Sequence, residues 1–248
     1  RIEWASVYTF ACQRMASFRH GRVLFAGDSA HGVSPFGARG ANSGVQDADN
    51  LAWKLAAVVR GEVVGEAAQA LIDSYGRERE YAADENILHS TRATDFITPK
   101  SAVSRVFRDA VLALSREHAF ARTLVNSGRL SVPAVLRDSV LNTPDVDADW
   151  PATLAPGAAA ADAPMVDAEG RAGWLLSRCE GTRFRALVFG SGPGAQRSLR
   201  ALADARLPID VVQVPGGEAG ALAAARYGAR DGSTYLLRPD QHVCARWH

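Results

Sequence analysis

The stretch VLFAGDSAHGVSPFGARGANSGVQDADNLAWKL, residues 23–55, decides how this chain is expected to fold. It opens with four apolar residues, which are typical of a strand buried on both faces. The apolar run stops at Gly27-Asp28, a loop rich in glycine and proline follows, and an amphipathic segment closes the stretch. This order predicts a strand, a shaped loop and a helix, with the Asp28 carboxylate at the tip of the strand.

The amphipathic segment predicts a helix over about 44–60 with one buried apolar stripe. Apolar residues recur there at spacings of three and four, and Asn42 or Ser43 supplies a start signal while Gly61 supplies a stop signal. The stripe consists of Val45, Ala48, Leu51, Ala52, Leu55, Ala56 and Val59.

Further elements are predicted on both sides of this stretch. Apolar residues alternate between residues 2 and 10, which favours one or two strands. Helical spacing recurs over about 66–90 and again over 104–125. Prolines, alanines and aspartates without periodicity fill residues 143–164, which indicates a linker or a long surface loop.

The last part of the chain predicts a small α/β domain with its own sheet. Strand and helix patterns alternate there in the order β-α-β-α-β, which brings the strands into one sheet. The predicted strands are 184–189, 209–214 and 234–237, and the predicted helices are about 194–205 and 218–227.

The composition narrows the class of protein. The 248 residues are 47% hydrophobic, which suffices for one large or two medium domains, and a formal net charge of +1 gives no reason to expect nucleic acid or a membrane as partner. Cys12, Cys179 and Cys244 are widely spaced, which predicts free thiols, a cytoplasmic setting and no metal site. Arg1 and the closing HVCARWH both lie in strand-like patterns, so we expect a fragment of a longer protein.

The residues around Asp28 predict a site for a ligand with a polyol part and an electron-rich head. A carboxylate only accepts hydrogen bonds, which suits a hydroxyl-bearing chain, and Gly27 permits close approach. At the helix start, backbone N–H groups near Gly40, Ala41 and Asn42 and the positive end of the helix dipole favour negative charge. An ordinary capped turn is the structural alternative.

Three parts of the stretch, GDSAH, SPFGARGAN and DADNLAWKL, carry a family resemblance in their order and spacing. Together they resemble the second FAD-binding motif of the class A FAD-dependent aromatic monooxygenases, the para-hydroxybenzoate and phenol hydroxylase group. Looser similarity after residue 90 resembles the 3-(3-hydroxyphenyl)propionate hydroxylase-type branch. Only the motif over 23–55 is specific.

The resemblance implies roles for individual residues. Asp28 would hold a ribityl hydroxyl of FAD, and the backbone of Ala41 and Asn42 would face the N1–C2=O edge of the flavin. Pro35 and Arg39 would lie near the reacting edge of the ring, where Arg39 would raise the local positive potential. The implied cofactor-binding residues are Gly27, Asp28, Pro35, Gly37, Gly40, Ala41 and Asn42.

Two residues of the loop are given other readings. We expect His31 to be structural, because no acid or nucleophile pairs with it in the sequence pattern. Phe36 is expected either to pack within the loop or to shape the substrate side.

The resemblance also implies a fold and a domain order. The fold class is α/β: the C-terminal part of a glutathione-reductase-type FAD-binding fold, a helical connection, and a small thioredoxin-like α/β domain. The expected divisions are 1–18 as the end of a substrate-domain sheet, 19–142 as the C-terminal part of the FAD-binding domain and following helices, 143–164 as a linker, and 165–248 as a truncated thioredoxin-like domain.

The implied activity is hydroxylation of a phenolic or other aromatic substrate with NAD(P)H and O2 through a C4a-hydroperoxyflavin. The implied partners are a small aromatic substrate, O2 and a second copy in a homodimer. The family's N-terminal GxGxxG and its mid-chain Asp-Gly motif have no counterpart before residue 23, so the isolated chain is expected to bind FAD weakly and to be inactive.

A second glycine motif, LVFGSGPGAQRSL at 187–199, allows another interpretation. Gly190, Gly192 and Ala195 match G-x-G-x-x-A, which allows a dinucleotide site. Pro193 inside the turn and the lack of an acidic residue at the tip of the next strand favour packing or a dimer contact instead. The domain also lacks CxxC, which argues against disulfide exchange.

Two other functions stay open. One is a flavin oxidoreductase of the same fold that does not hydroxylate, such as a dehydrogenase or a halogenase. The other is a catalytically inactive fragment or interaction module.

Overall fold

The chain forms two compact units, Arg1–Ala134 and Val135–His248. The computed structural model describes residues 3–7, 9–35, 37–125, 132–146, 149–167, 170–204 and 208–248.

The first unit is mainly helical. Its helices are α1 (Arg39–Val59), α2 (Gly65–Ile97), α3 (Ala102–Ser115) and α4 (Ala119–Val125). Its strands are β1 (Gln13–Arg14), β2 (Arg19–His20), β3 (Val23–Leu24) and β4 (His31–Gly32). The strands form two antiparallel ladders, β1 with β4 and β2 with β3. The buried core consists of Phe18, Ala30, Tyr75 and Ala83.

The apolar run before Gly27 forms a shorter and more exposed strand than expected. Strand β3 covers two residues and pairs only with β2. Val23 is 56% exposed, and Leu24 is half-buried. The expectation of a strand buried on both faces is therefore wrong, because a single antiparallel partner leaves one face of the ribbon open to solvent.

The alternating segment near the start of the chain forms no strand in its described residues, 3–7 and 9–12. Trp4 and Val7 are 74% and 96% exposed. Alternation predicts a strand only where a neighbouring strand completes its backbone hydrogen bonds, and no described strand lies beside this segment.

Helix α1 begins at Arg39, three residues before the earlier of the two expected start residues, and it buries a polar side. Its buried residues are Arg39, Ser43, Asp47, Asn50, Trp53 and Lys54. In contrast, Val45 and Val59 are 69% and 83% exposed. The predicted apolar stripe is therefore wrong as a guide to burial in this chain. A polar helix face can be buried where ion pairs and hydrogen bonds satisfy its groups, as they do for Asp47, Asn50 and Lys54.

The later helices follow the prediction in type but not in length. Helix α2 continues beyond residue 90 to Ile97. The single helix expected over 104–125 is two helices, α3 and α4, separated by a turn at residues 116–118. The Ser101 hydroxyl accepts a hydrogen bond from the Ser104 amide and so caps the start of α3.

The second unit contains a four-stranded mixed sheet. The strands of this unit are β5 (Pro164–Val166), β6 (Ala172–Trp174), β7 (Phe184–Phe189), β8 (Ile209–Val214), β9 (Thr234–Leu237) and β10 (Val243–Trp247). The helices of the unit are α5 (Pro193–Ala203) and α6 (Ala221–Tyr227). The sheet order is β10-β9-β7-β8, while β5 and β6 pair separately. β7 and β8 are parallel, and the other two pairs of the sheet are antiparallel.

The segment 143–164, expected to be a linker or a surface loop, packs within the second unit. Backbone hydrogen bonds join Thr143 to Cys244, and Gly157 to Val243, along β10. Leu154 is 4% exposed and belongs to the core of this unit. Its lack of periodicity reflects irregular backbone held by these hydrogen bonds, which sequence patterns do not report.

Candidate functional site

The predicted strand tip is a short 3₁₀ turn, Gly27–Ser29. Gly27 has a φ of +58°, a left-handed conformation that favours glycine. The Ala30 amide donates to the Gly27 carbonyl oxygen at 2.8 Å and closes the turn. The Asp28 side chain is exposed, and among the described residues none donates a hydrogen bond to its carboxylate. Asp28 therefore projects from a fixed turn with its acceptor oxygens available.

The loop after this turn is anchored on α2. Ser34 is buried, its carbonyl oxygen accepts a hydrogen bond from the Ser90 hydroxyl at 3.3 Å, and its own hydroxyl lies 2.9 Å from Thr94 Oγ1. Pro35 is exposed, and its carbonyl oxygen accepts a hydrogen bond from the Ala38 amide at 3.1 Å. The buried serine therefore fixes the point from which the exposed loop leaves the helix surface.

The end of the loop adopts unusual backbone angles. Gly37 and Ala38 have φ values of +96° and +51°. Phe36, expected either to pack in the loop or to shape a substrate side, lies outside the described residues. Ala38 directly precedes α1 and makes no side-chain cap to it.

The start of α1 therefore presents uncapped backbone N–H groups. The N–H groups of Gly40 and Ala41 lie in the first turn and precede the first intrahelical hydrogen bond. Asn42 is the fourth helical residue, where the backbone N–H ordinarily bonds inside the helix, and its side-chain Nδ2 donates to the Ala38 carbonyl oxygen at 2.8 Å. Gly40 and Ala41 are therefore the residues of the predicted set whose N–H groups lie at the helix start.

The charged residue at the start of α1 has the sign that destabilises the N-terminus of a helix. The first turn of α1 has no acidic residue, and it has Arg39 at its first position. A cation at a helix N-terminus is destabilising, since the dipole is already positive there. The Arg39 side chain is buried, and its Nη2 donates to the Val132 carbonyl oxygen at 3.0 Å. The arrangement concentrates positive potential at the uncapped N–H groups.

A buried carboxylate on α1 joins the turn, β4 and α2. Asp47 Oδ2 lies 2.7 Å from His31 Nε2 and accepts the Gly27 amide at 2.9 Å, while Oδ1 accepts Arg79 Nε at 2.6 Å. Burial by itself raises the pKa of Asp47, but hydrogen bonds from His31 and the charge of Arg79 outweigh it, so the pKa of Asp47 lies below its usual value of 3.8. The expectation that no acid pairs with His31 is wrong, because Asp47 lies on a later helix that folds back onto β4.

Residues of the α1–α2 interface escaped the sequence analysis. Asn50 and Lys54 on α1 both bond to the buried Glu78 of α2, and Arg79 follows Glu78 in the chain. Their signal was present, since the polar residues of α1 also recur at spacings of three and four. An amphipathic helix ordinarily buries its apolar stripe, so this spacing does not by itself predict a buried polar face.

The glycine motif of the second unit already holds an anion. The Asp231 carboxylate accepts the amides of Gly192 and Gly194 at 2.9 and 2.8 Å, at the start of α5. These hydrogen bonds hold the pKa of Asp231 below its usual value of 3.8. A side chain at Gly190 or Gly194 would collide with Asp231. The glycines are therefore explained by Asp231, which takes the place that a phosphate would need, and this supports the packing interpretation over a dinucleotide site.

The three cysteines are free thiols. Burial raises the pKa of the Cys179 thiol to about 11 and that of Cys244 to about 12. Both thiols are therefore protonated at neutral pH and poor nucleophiles.

Among the described residues, no helix combines the length and the apolar character that crossing a membrane requires.

Comparison with known protein families gives a match over the first part of the chain. The family described as "FAD binding domain" matches residues 1–90, which include the whole 23–55 stretch.

Two relatives match over about a hundred residues. A 3-(3-hydroxy-phenyl)propionate/3-hydroxycinnamic acid hydroxylase of Comamonas testosteroni is 44% identical over 106 residues, which are 43% of this chain and 17% of that protein. A 6-methylpretetramide 4-monooxygenase of Streptomyces rimosus is 43% identical over 104 residues, which are 42% of this chain and 18% of that protein. The chain thus matches less than a fifth of the length of each.

The solved structure of BexE, studied for oxidation during BE-7585A biosynthesis, resembles the chain with a TM-score of 0.69 and 31% identity. The likeness covers 98% of this chain and 45% of the BexE chain. Residues 1–90 carry the match to the FAD binding domain, and together with the hydroxylase relatives it confirms the resemblance of this chain to the class A FAD-dependent aromatic monooxygenases.

Proposed function

We propose that this chain supplies the ribityl and ring-edge half of the FAD site in an aromatic monooxygenase. In this proposal the complete enzyme uses NAD(P)H and O2 to hydroxylate a phenolic or other aromatic substrate. The phosphate-binding half of the site comes from polypeptide outside these residues.

The observation that carries the proposal is Gly40. Its φ is not in the left-handed region, and a Cβ added to it would meet no heavy atom of the described residues within 4 Å. Glycine costs up to about 1 kcal/mol relative to alanine in a helix, so the described part of the fold gains nothing from glycine at this position. Close approach of a ligand to the uncapped N–H groups supplies a reason for it.

The chemistry of the other exposed groups fits the same ligand. Asp28 offers acceptor oxygens for the hydroxyls of a ribityl chain. The N–H groups of Gly40 and Ala41, the helix dipole and the buried Arg39 all favour negative charge at a ring edge. Pro35, exposed in the loop between these two groups, would border the reacting edge of the ring.

Bound FAD would supply the redox and oxygen chemistry, and this chain would bind, orient and polarise it. The positive potential at the start of α1 stabilises negative charge on the reduced ring and favours a substrate phenolate. The names of the Comamonas and Streptomyces relatives, a hydroxylase and a monooxygenase, support hydroxylation over the non-hydroxylating alternatives.

The second unit is, in this proposal, a thioredoxin-like domain without redox activity. Its mixed four-stranded sheet, in which β7 pairs with β8 in parallel and with β9 antiparallel, supports that architecture. In the same proposal, residues 1–18 are the end of a substrate-domain sheet. Residues 19–142 are the C-terminal part of an FAD-binding domain and the helices that follow it. A cytoplasmic location and a homodimer belong to the same proposal.

Binding is tested by adding FAD to the chain and following backbone amide resonances by NMR, which reports weak complexes. We expect shifts centred on Asp28, Gly40 and Ala41. Asp28→Ala should weaken FAD binding about tenfold or more, because it removes a charged hydrogen-bond acceptor. Asp49→Ala, a matched change at an exposed carboxylate of α1, should leave it unchanged. Equal effects of the two substitutions, or shifts elsewhere only, would contradict the proposal.

Activity is tested on the protein encoded by the complete gene. We expect bound FAD, NAD(P)H oxidation stimulated by a phenolic substrate, and incorporation of one oxygen atom from ¹⁸O₂ into the product. Oxidation of NAD(P)H without labelled product would favour the non-hydroxylating oxidoreductase, and absence of FAD would favour an interaction module.

A further inference from the structure

We propose that Asp47 is the positioning residue of the candidate flavin site. It holds the turn that presents Asp28 at a fixed distance from the helix start that presents Gly40 and Ala41. The proposal rests on the proposed function, since the two groups form one site only if a flavin bridges them.

The two halves of the candidate site have different origins in the chain. Asp28 lies in the 3₁₀ turn, while Gly40 and Ala41 lie in the first turn of α1, and the exposed loop with Pro35 connects them. A loop of this kind does not by itself fix the separation of its ends. Something outside the loop must therefore hold the turn against the helix.

Asp47 makes that connection directly. It lies on the same helix as Gly40, about two turns further on, and its Oδ2 accepts the Gly27 amide at 2.9 Å, one residue from Asp28. One carboxylate thus ties the backbone of the turn to α1. The hydrogen bond is charge-assisted and its acceptor carboxylate is fully buried, which makes it strong.

A close backbone contact completes the junction. An added Cβ at Gly44 would lie 3.4 Å from the Gly27 Cα. Gly44 lies one turn before Asp47 on the same face of α1, so the turn contacts the helix at two successive levels. The small size of both glycines allows the carboxylate to reach the Gly27 amide.

The carboxylate is in turn held from two other elements. Arg79 of α2 contacts Oδ1 at 2.6 Å, and His31 of β4 contacts Oδ2 at 2.7 Å. The His31 ring stacks on Phe18 with a centroid separation of 5.7 Å. Asp47 thereby has its two oxygens directed by fixed partners, and the position of Asp28 is set by the packing of β4, α1 and α2 together.

A role of Asp47 in stability alone can be distinguished from its role in positioning the turn. Glu78 is a carboxylate of equal burial on the partner helix, and it pairs with Lys54 across the same α1–α2 interface. Its carboxylate accepts hydrogen bonds from Asn50 and Lys54 of α1. Glu78→Ala is therefore the matched control for Asp47→Ala, because both remove a buried charge between these helices, whereas the Gly27 amide donates to Asp47.

The experiment is amide hydrogen exchange and NMR on the chain without FAD. In Asp47→Ala we expect the Gly27 amide to exchange about ten- to one-hundredfold faster, as for loss of a hydrogen bond to a charged group, and the cross-peak between the Gly27 and Gly44 α-protons to disappear. Glu78→Ala should keep both features. Asp47→Asn, the milder change, serves if Asp47→Ala does not fold, and it should also accelerate Gly27 exchange.

Unchanged Gly27 exchange in both Asp47 variants would overturn the proposal, as would an equal acceleration in Glu78→Ala. Adding FAD then separates the two proposals. We expect FAD-induced shifts at Gly40 and Ala41 in the wild-type chain that weaken in Asp47→Asn. Absence of those shifts in the wild type contradicts the proposed function, whereas their persistence at full strength in Asp47→Asn contradicts positioning by Asp47.

Discussion

Lys54 and Glu78 form an ion pair of 2.8 Å that is buried between α1 and α2, with both side chains at most 2% exposed. Asn50 donates to the same Glu78 oxygen at 2.7 Å and accepts from Lys54 at 2.9 Å. The ion pair and the Asn50 amide satisfy one another's hydrogen bonds. These three side chains form a polar seam in the interface between α1 and α2, where apolar packing is usual. Such seams fix the register of two helices more than they add to stability.

Removing one partner of this seam should be strongly destabilising. We expect Glu78→Leu to lower the free energy of unfolding by about 3–5 kcal/mol, because Lys54 is left buried without a counter-charge. The double variant Lys54→Met/Glu78→Leu should recover at least half of the loss. Urea denaturation of the three proteins measures both effects, and a double variant no better than the single one would argue against a buried pair.

Stability should fall in acid through Asp47. Because the folded-state pKa of Asp47 is lowered, its carboxylate contributes stability that is fully present above its usual pKa of 3.8 and is lost as the pH falls through the folded pKa. We therefore expect the stability difference between wild type and Asp47→Asn to be large at about pH 6 and to shrink at about pH 3. Urea unfolding at both pH values tests this, and a difference independent of pH would exclude the charged form of Asp47.

Gly40→Ala should stabilise the protein and weaken flavin binding. Alanine is favoured in helices by up to about 1 kcal/mol, and its Cβ would meet no heavy atom within 4 Å in the part of the chain that the structure describes. Thermal unfolding and FAD titration by NMR measure the two effects on the same sample. Gly44→Ala is the comparison, since its Cβ would lie 3.4 Å from the Gly27 backbone and should give no such gain. A Gly40→Ala protein that binds FAD as well as wild type would remove the main support for the proposed site.

The glycine motif of the second unit should prove intolerant of side chains and indifferent to nucleotides. A Cβ at Gly194 would lie 2.5 Å from the Asp231 carbonyl oxygen, so Gly194→Ala should cost about 1–3 kcal/mol in overpacking. Ser191→Ala, in the loop just before α5, should be nearly neutral. Added NADH should leave the Gly192 and Gly194 amide resonances in place, and a saturable shift at these amides would restore the dinucleotide interpretation.

The local patterns of the sequence predicted strands well where the neighbouring strands come from the same domain. Strands β7, β8 and β9 lie where alternation and apolar runs placed them, because all three belong to one sheet whose strands come from the same unit. The prediction was weaker near residues 2–10 and at β3, where a strand depends on partners that local sequence does not specify.

The candidate site was likewise predictable from the sequence only in part. The exposed Asp28, the glycine-rich loop and the helix start could be read directly, because turn and helix-end chemistry depends on a few adjacent residues. The residue at which α1 begins could not be read from the sequence, since the helix begins earlier than the expected start residues suggested.

By itself, the sequence determined that the Asp28 carboxylate precedes a glycine-rich loop and that a helix start follows this loop. Tertiary structure alone decided what holds the two together. Asp47, His31 and Arg79 come from three separate elements and meet only when α1 and α2 pack. Burying the charges of Asp47 and Arg79 is favourable only when the two groups are in contact, and contacts of that kind leave no periodic trace along the chain.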